Sequence, residues 1–151
     1  MVNFIDLADV PADYTGAANK GVRVKADESG LEFVIEIPPS VQFNIYQKVA
    51  PTSSQVMLRY LSAEAWTLPA NMAGSLINVG VAPTIGATLD VRRNGVSVGS
   101  IGITTGLSYS FSTIGGTAKA FAAGDILDVV AQASPDTTLA DIALTLTGPK
   151  N

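Results

Sequence analysis

The chain has 151 residues and neither a cysteine nor a histidine among them. The first absence excludes a disulfide framework, a thiolate metal site and any thiol nucleophile. The second removes the commonest general base, the commonest metal ligand and the side chain that ordinarily titrates near neutral pH. Charged residues make up only 15%, the net charge is −4, and Arg92-Arg93 is the one place where two cations adjoin. No basic face for nucleic acid is expected from that pattern. Hydrophobic residues reach 47%, yet no apolar run approaches the ~18 residues of a spanning helix, so membrane insertion is not expected either. The opening Met1-Val2-Asn3-Phe4-Ile5-Asp6 has no basic region and no long apolar stretch, which gives no sign of a signal peptide. Aromatic residues are 7% and there is a single tryptophan.

What is present falls into two parts. Residues 1–36 are polar and punctuated, and they carry Asp6, Asp9, Asp13, Asp27, Glu28, Glu32 and Glu36 of the thirteen acids. Within them Gly21–Lys25 alternates apolar and basic residues, and Leu31–Ile37 reads as a second short strand. Two short strands joined by a turn form a hairpin that is marginal alone in water and calls for a partner surface. Pro38-Pro39 then ends the segment, since proline fixes φ and lacks a ladder donor. The expected division is an anchoring arm over 1–39 and a folded knob over 40–151.

The knob reads as strand after strand. Val41, Phe43 and Ile45 alternate with polar neighbours; Val56–Leu61, Ala65–Leu68, Ser75–Val81, Ala87–Arg93 and Val96–Ile103 follow, with prolines at 69 and 83 as stops. Asn94-Gly95 between two alternating runs predicts a tight hairpin, because a type I′ turn needs φ > 0 at both central positions. The apolar phase shifts after Val98, which predicts a bulge near Gly99-Ser100. Leu107, Tyr109 and Phe111, then Ile126–Ala131, then Ile142, Leu144 and Leu146 complete the series, while Ala118–Ala123 has room for one helical turn at most. Short strands at intervals of about 8–12 residues predict an all-β, antiparallel, jelly-roll-like β-sandwich preceded by an extended N-terminal arm or hairpin.

Several short motifs carry a resemblance. In the arm they are Ile5-Asp6-Leu7, Asp9-Val10-Pro11, Tyr14-Thr15-Gly16, Lys20, Val22-Arg23-Val24 and Gly30-Leu31-Glu32-Phe33. In the knob they are Ala50-Pro51-Thr52, Val56–Arg59, Leu68–Asn71, Val91–Gly95, Phe121–Asp125 and Leu139–Ile142. The arm resembles a segment found near the N-terminus of fibres and spikes of tailed-bacteriophage virions, and the knob resembles a β module of phage structural proteins. Asn19 stands before Lys20 where a glycine is frequent. The resemblance implies a virion accessory protein of the fibre or decoration type, a homotrimer exposed on the virion surface. Its partners would be other virion proteins of capsid, neck or tail. It implies no catalytic residue and no cofactor. Phe4, Ile5, Leu7, Val10, Pro11, Tyr14, Leu31 and Phe33 are the anchor and interface candidates.

Other chemistry competes with plainer structural roles. Asp125, Asp128, Asp136 and Asp141 could offer oxygens to Ca²⁺, but they lack the Asp-x-Asp-x-Asp-Gly loop; the plainer expectation is that Asp125 caps a turn and Asp128 faces solvent. Glu64 beside Trp66 is the best acid for glycoside hydrolysis, against an exposed turn residue beside a structural tryptophan. Trp66, Tyr46, Tyr60 and Tyr109 could stack on a sugar, against a place in the core. Arg92-Arg93 before Asn94-Gly95 could hold an anion, against an ion pair between subunits. Trp66, Tyr109 and Arg92 are therefore the candidate ligand contacts, and a host-surface glycan bound by an adhesion module is the alternative function.

Overall fold

A computed structural model describes residues 20–26, 29–35 and 39–151. The chain divides into two compact units, Met1–Pro38 and Pro39–Asn151. In the first, β1 (Lys20–Val24) pairs antiparallel with β2 (Leu31–Ile35), from Lys20 opposite Ile35 to Val24 opposite Leu31. The hairpin expected from the alternation is thus present, closed by a Lys25 N–H bond to the Gly30 carbonyl at 2.9 Å. Of the anchor candidates, Phe4, Ile5, Leu7, Val10, Pro11 and Tyr14 lie outside the described residues, and Leu31 and Phe33 lie on β2 opposite Val24 and Val22.

The second unit is built wholly from antiparallel strands. They are β3 (Ser40–Gln47), β4 (Val56–Leu61), β5 (Trp66–Leu68), β6 (Leu76–Val81), β7 (Ala87–Arg93), β8 (Val96–Ile103), β9 (Tyr109–Thr113), β10 (Lys119–Phe121), β11 (Ile126–Ala131) and β12 (Ala140–Pro149). One sheet has the order β4-β11-β7-β8-β9, a second β3-β12-β6, and β5 pairs with β10. The pairing is nested. β3 bonds to β12, β4 to β11 and β5 to β10, around the β7–β8 hairpin. One sequence expectation is corrected here: no helical turn forms within Ala118–Ala123. Lys119–Phe121 is a strand, because Phe121 aligns with Trp66 across β5. Short 3-10 turns at Ala70–Met72 and Ile114–Gly116 flank β5 and β9.

Alternation explains the layers. On β12, Ile142, Leu144 and Leu146 are buried while Ala143 is exposed, as period-two side chains require. They meet Phe43 and Ile45 of β3 and, from the other sheet, Leu89, Val91, Ile101, Leu127 and Val129 in one core. This is a β-sandwich arrangement. Burial of each such side chain contributes about 1.5–3 kcal/mol before ordering costs. One end of the core is aromatic. Trp66 stacks on Phe121 with centroids 4.4 Å apart at 15°, and Phe43 tilts against it at 4.8 Å.

The β7–β8 turn carries Asn94 at φ 52° and Gly95 at φ 82°, as a type I′ hairpin demands. The bulge falls one residue earlier than expected. Val91 pairs with Gly99 and Arg92 with Ser97, so Val98 is the extra residue. Val98 and Gly99 therefore both point inward, and burial resumes in shifted phase at Ile101 and Ile103.

Candidate functional site

The sandwich puts most of its polar groups to structural use. Asp128 was expected on a solvent face and is instead buried, at 4% exposure. The reason is its strand. β11 lies between β4 and β7, and Arg59 on β4 folds over the carboxylate, with Nε to Oδ1 at 2.8 Å and Nη2 to Oδ2 at 3.3 Å. The carboxylate in turn pushes the Arg59 guanidinium above its ordinary pKa. Next in the same register row, Arg92 gives Nε to Asp90 Oδ2 at 2.6 Å, and Ser97 donates to Asp90 Oδ1 at 2.6 Å. The ion pair expected between subunits is therefore made within one strand.

Asp136 is also buried, at 4%. Its Oδ2 accepts from the Thr84 amide and hydroxyl and the Ile85 amide, at 2.7–2.9 Å. Its Oδ1 accepts from the Thr138 amide and hydroxyl and the Leu139 amide, at 2.5–3.1 Å. The Thr138 and Thr84 hydroxyls, with the backbone donors, hold it far below the usual carboxylate range. Asp125 caps its turn as expected, accepting from Ala122 N at 2.9 Å, and takes Asn94 Nδ2 at 2.7 Å. Of the four aspartates considered for Ca²⁺, Asp125 and Asp136 thus serve different turns while Asp128 and Asp141 lie on β11 and β12, and no group of three acids among the described residues could hold a metal ion.

The aromatic candidates are placed as follows. Trp66 is 0% exposed and donates Nε1 to Ser62 Oγ at 3.0 Å, so it offers no ring face to a ligand. Tyr60 packs against Phe43. Tyr109 is half-buried, and its hydroxyl accepts from Val79 N at 3.1 Å, tying β9 to β6. Glu64 is ion-paired with Lys150. Neither Trp66 nor Tyr109 stands as a free sugar platform.

Tyr46 differs. It is 66% exposed on the outer face of β3-β12-β6, directly opposite Ala143, which is opposite Asn78. Beside it Asp141 has φ 57°, an unfavourable conformation for a non-glycine residue. Its amide donates to Lys48 O at 3.1 Å, and its carboxylate lies where a side chain at Gly80 would be. As a hydrogen-bond acceptor and a negative charge beside the ring's hydroxyl, the Asp141 carboxylate pushes the Tyr46 pKa up. Sequence reading saw both residues singly and missed the pair, because only the long-range β3–β12 register brings them together.

No family model, curated protein or solved structure matches the chain.

Charge separates the two units. Beyond Pro39 there are six cations (Lys48, Arg59, Arg92, Arg93, Lys119, Lys150) and six acids (Glu64, Asp90, Asp125, Asp128, Asp136, Asp141). The whole net charge of −4 therefore resides in residues 1–38, where seven acids oppose Lys20, Arg23 and Lys25. The neutral sandwich carries exposed apolar side chains at Tyr46, Leu61, Leu76, Ile85 and Val96.

Proposed function

We propose that the chain is a non-enzymatic structural component of a phage virion, a short appendage or decoration protein that docks by its N-terminal arm and presents a trimeric β knob. The observation that carries this reading is the division at Pro38/Pro39 into a hairpin-bearing acidic unit and a neutral β-sandwich. A two-stranded hairpin gains stability by joining a larger surface. Strand addition would take affinity from main-chain bonds and specificity from alternate side chains, and three copies would make weak single contacts cumulative. The nested strand pairing supports a jelly-roll-like description, an architecture shared by viral capsid and lectin domains; this is an analogy of fold, not of site. The exposed apolar side chains of the sandwich give copies a surface to share.

Removing residues 1–38 should leave a folded, soluble sandwich that no longer binds particles lacking the protein. Decoration by the truncated form would overturn the anchor role. Light scattering on the full chain, read against a 15.6 kDa monomer, tests the trimer.

The adhesion alternative keeps one specific support. Tyr46, with Asp141 beside it and the small Ala143 alongside, offers an open ring face next to a hydrogen-bond acceptor. A glycan array that shows binding lost in Tyr46→Ala, but retained in Tyr109→Phe, would favour adhesion.

A further inference from the structure

Asn94 is followed by glycine, and no other asparagine of the chain is. That dipeptide is the one in which a backbone nitrogen most readily attacks the preceding side chain, because the attacking residue has no Cβ to obstruct it. Position 95 is open, with nothing within 4 Å of where a Cβ would stand. Asn94 itself is exposed at the tip of the β7–β8 hairpin.

Its carboxamide is nevertheless not free. Ile126 N donates to Oδ1 at 2.8 Å, and Nδ2 donates to Asp125 Oδ1 at 2.7 Å. The Asn94 amide also donates to the Ile126 carbonyl at 2.9 Å. Asp125 is fixed in turn by Ala122 N on its other oxygen. The side chain thus bridges the β7–β8 turn to the turn before β11, with both of its polar atoms engaged.

We propose that Asn94 is the chain's principal deamidation site and that its bonds to Asp125 and Ile126 hold the reaction back in the folded protein. The chemistry requires only water. Gly95 N attacks Asn94 Cγ and the new C–N bond closes a succinimide. Nδ2 leaves as ammonia, taking up the proton that the attacking amide gives up. Water then opens the ring at either carbonyl, to aspartate or isoaspartate. Reaching the attacking geometry means turning Cγ away from both partners, one of them an ionised carboxylate. Bonds to charged groups are the stronger kind, so loss of the Asp125 bond should speed the reaction by at least about tenfold. The product carries a carboxylate facing Asp125 in place of a donor, so a turn that has opened long enough to react does not re-form its bridge. The modification is a one-way, charge-adding record of opening at this hairpin.

The test is peptide mapping by mass spectrometry of the full chain at one pH and temperature. Three samples are compared: native protein, protein in urea, and native Asp125→Ala with its fold checked by circular dichroism. Asn94 should convert slowly in the native chain, fast in urea, and at least about tenfold faster in Asp125→Ala than in the native chain. Equal rates in native and urea samples would overturn the proposal. So would a folded Asp125→Ala no faster than the native chain, or earlier conversion of another asparagine in urea. If Asp125→Ala does not fold, the first comparison decides alone.

Discussion

Replacing Gly148 by alanine should open the aromatic end of the sandwich. Gly148 is buried on β12 where β5 crosses it. A Cβ there would lie 2.1 Å from the Thr67 carbonyl oxygen, 2.9 Å from Trp66 Cε3 and 3.0 Å from Thr67 C. Two of the three obstructing atoms are backbone, so relief requires β5 to move away by roughly 1 Å. That shift would loosen Trp66 from Phe121 and Phe43. Overpacking a rigid core costs about 1–3 kcal/mol, and a displaced strand puts this case at the upper end, about 3 kcal/mol. Gly80→Ala is the matched control. Its Cβ would meet the Asp141 side chain, at 2.1 Å from Oδ2, 2.8 Å from Cγ and 2.9 Å from Cβ; the carboxylate can rotate away and only a small shift is asked of Cβ, for a loss of about 1 kcal/mol, the lower end of overpacking. Urea unfolding measures both, with emission of the single tryptophan as the local reporter. A Gly148→Ala protein within about 0.5 kcal/mol of the parent, with unchanged emission, would refute the close crossing of β5 over β12.

Truncating Ile142, which is 0% exposed, to alanine should cost about 2–5 kcal/mol in the same assay. Acid should weaken the fold through Asp136 and Asp125, both held below the ordinary carboxylate range by their hydrogen-bond donors. Their folded-state values lie below the unfolded ones, so their contribution is whole above about pH 4 and drains as pH falls toward the folded values. Urea midpoints should stay level from about pH 7 to 5 and then decline. Asp136→Asn should start lower at neutral pH and decline less steeply; an identical slope would contradict the assignment.

Local features of the fold were readable because alternation and turn chemistry are local. Val56–Leu61, Ala87–Arg93, Val96–Ile103 and Ile126–Ala131 coincide with β4, β7, β8 and β11, and Asn94-Gly95 with its turn. The bulge was displaced by one residue because the phase shift fixes only an interval, while Gly99 is held by neighbours far away in sequence. A Cβ there would be 2.5 Å from Ser112 O and 2.6 Å from Met72 Cε. The candidate sites were less readable. Asp128 looked solvent-facing because nothing local shows that β4 will cover it. Trp66 could be core or platform until β10 brought Phe121 against it. Tyr46 and Asp141 lie about a hundred positions apart and meet only through the β3–β12 ladder.

That ladder also sets the order of events during synthesis. β12 is the middle strand of its sheet, flanked by β3 and β6, and it lies last in the sandwich. Until it leaves the ribosome, β3 and β6 have no partner in that sheet and their apolar faces wait uncovered. The β1–β2 hairpin, whose contacts are local, has no such wait. Any chain cut short before residue 140 would therefore keep its N-terminal hairpin sequence while the sandwich stayed unclosed.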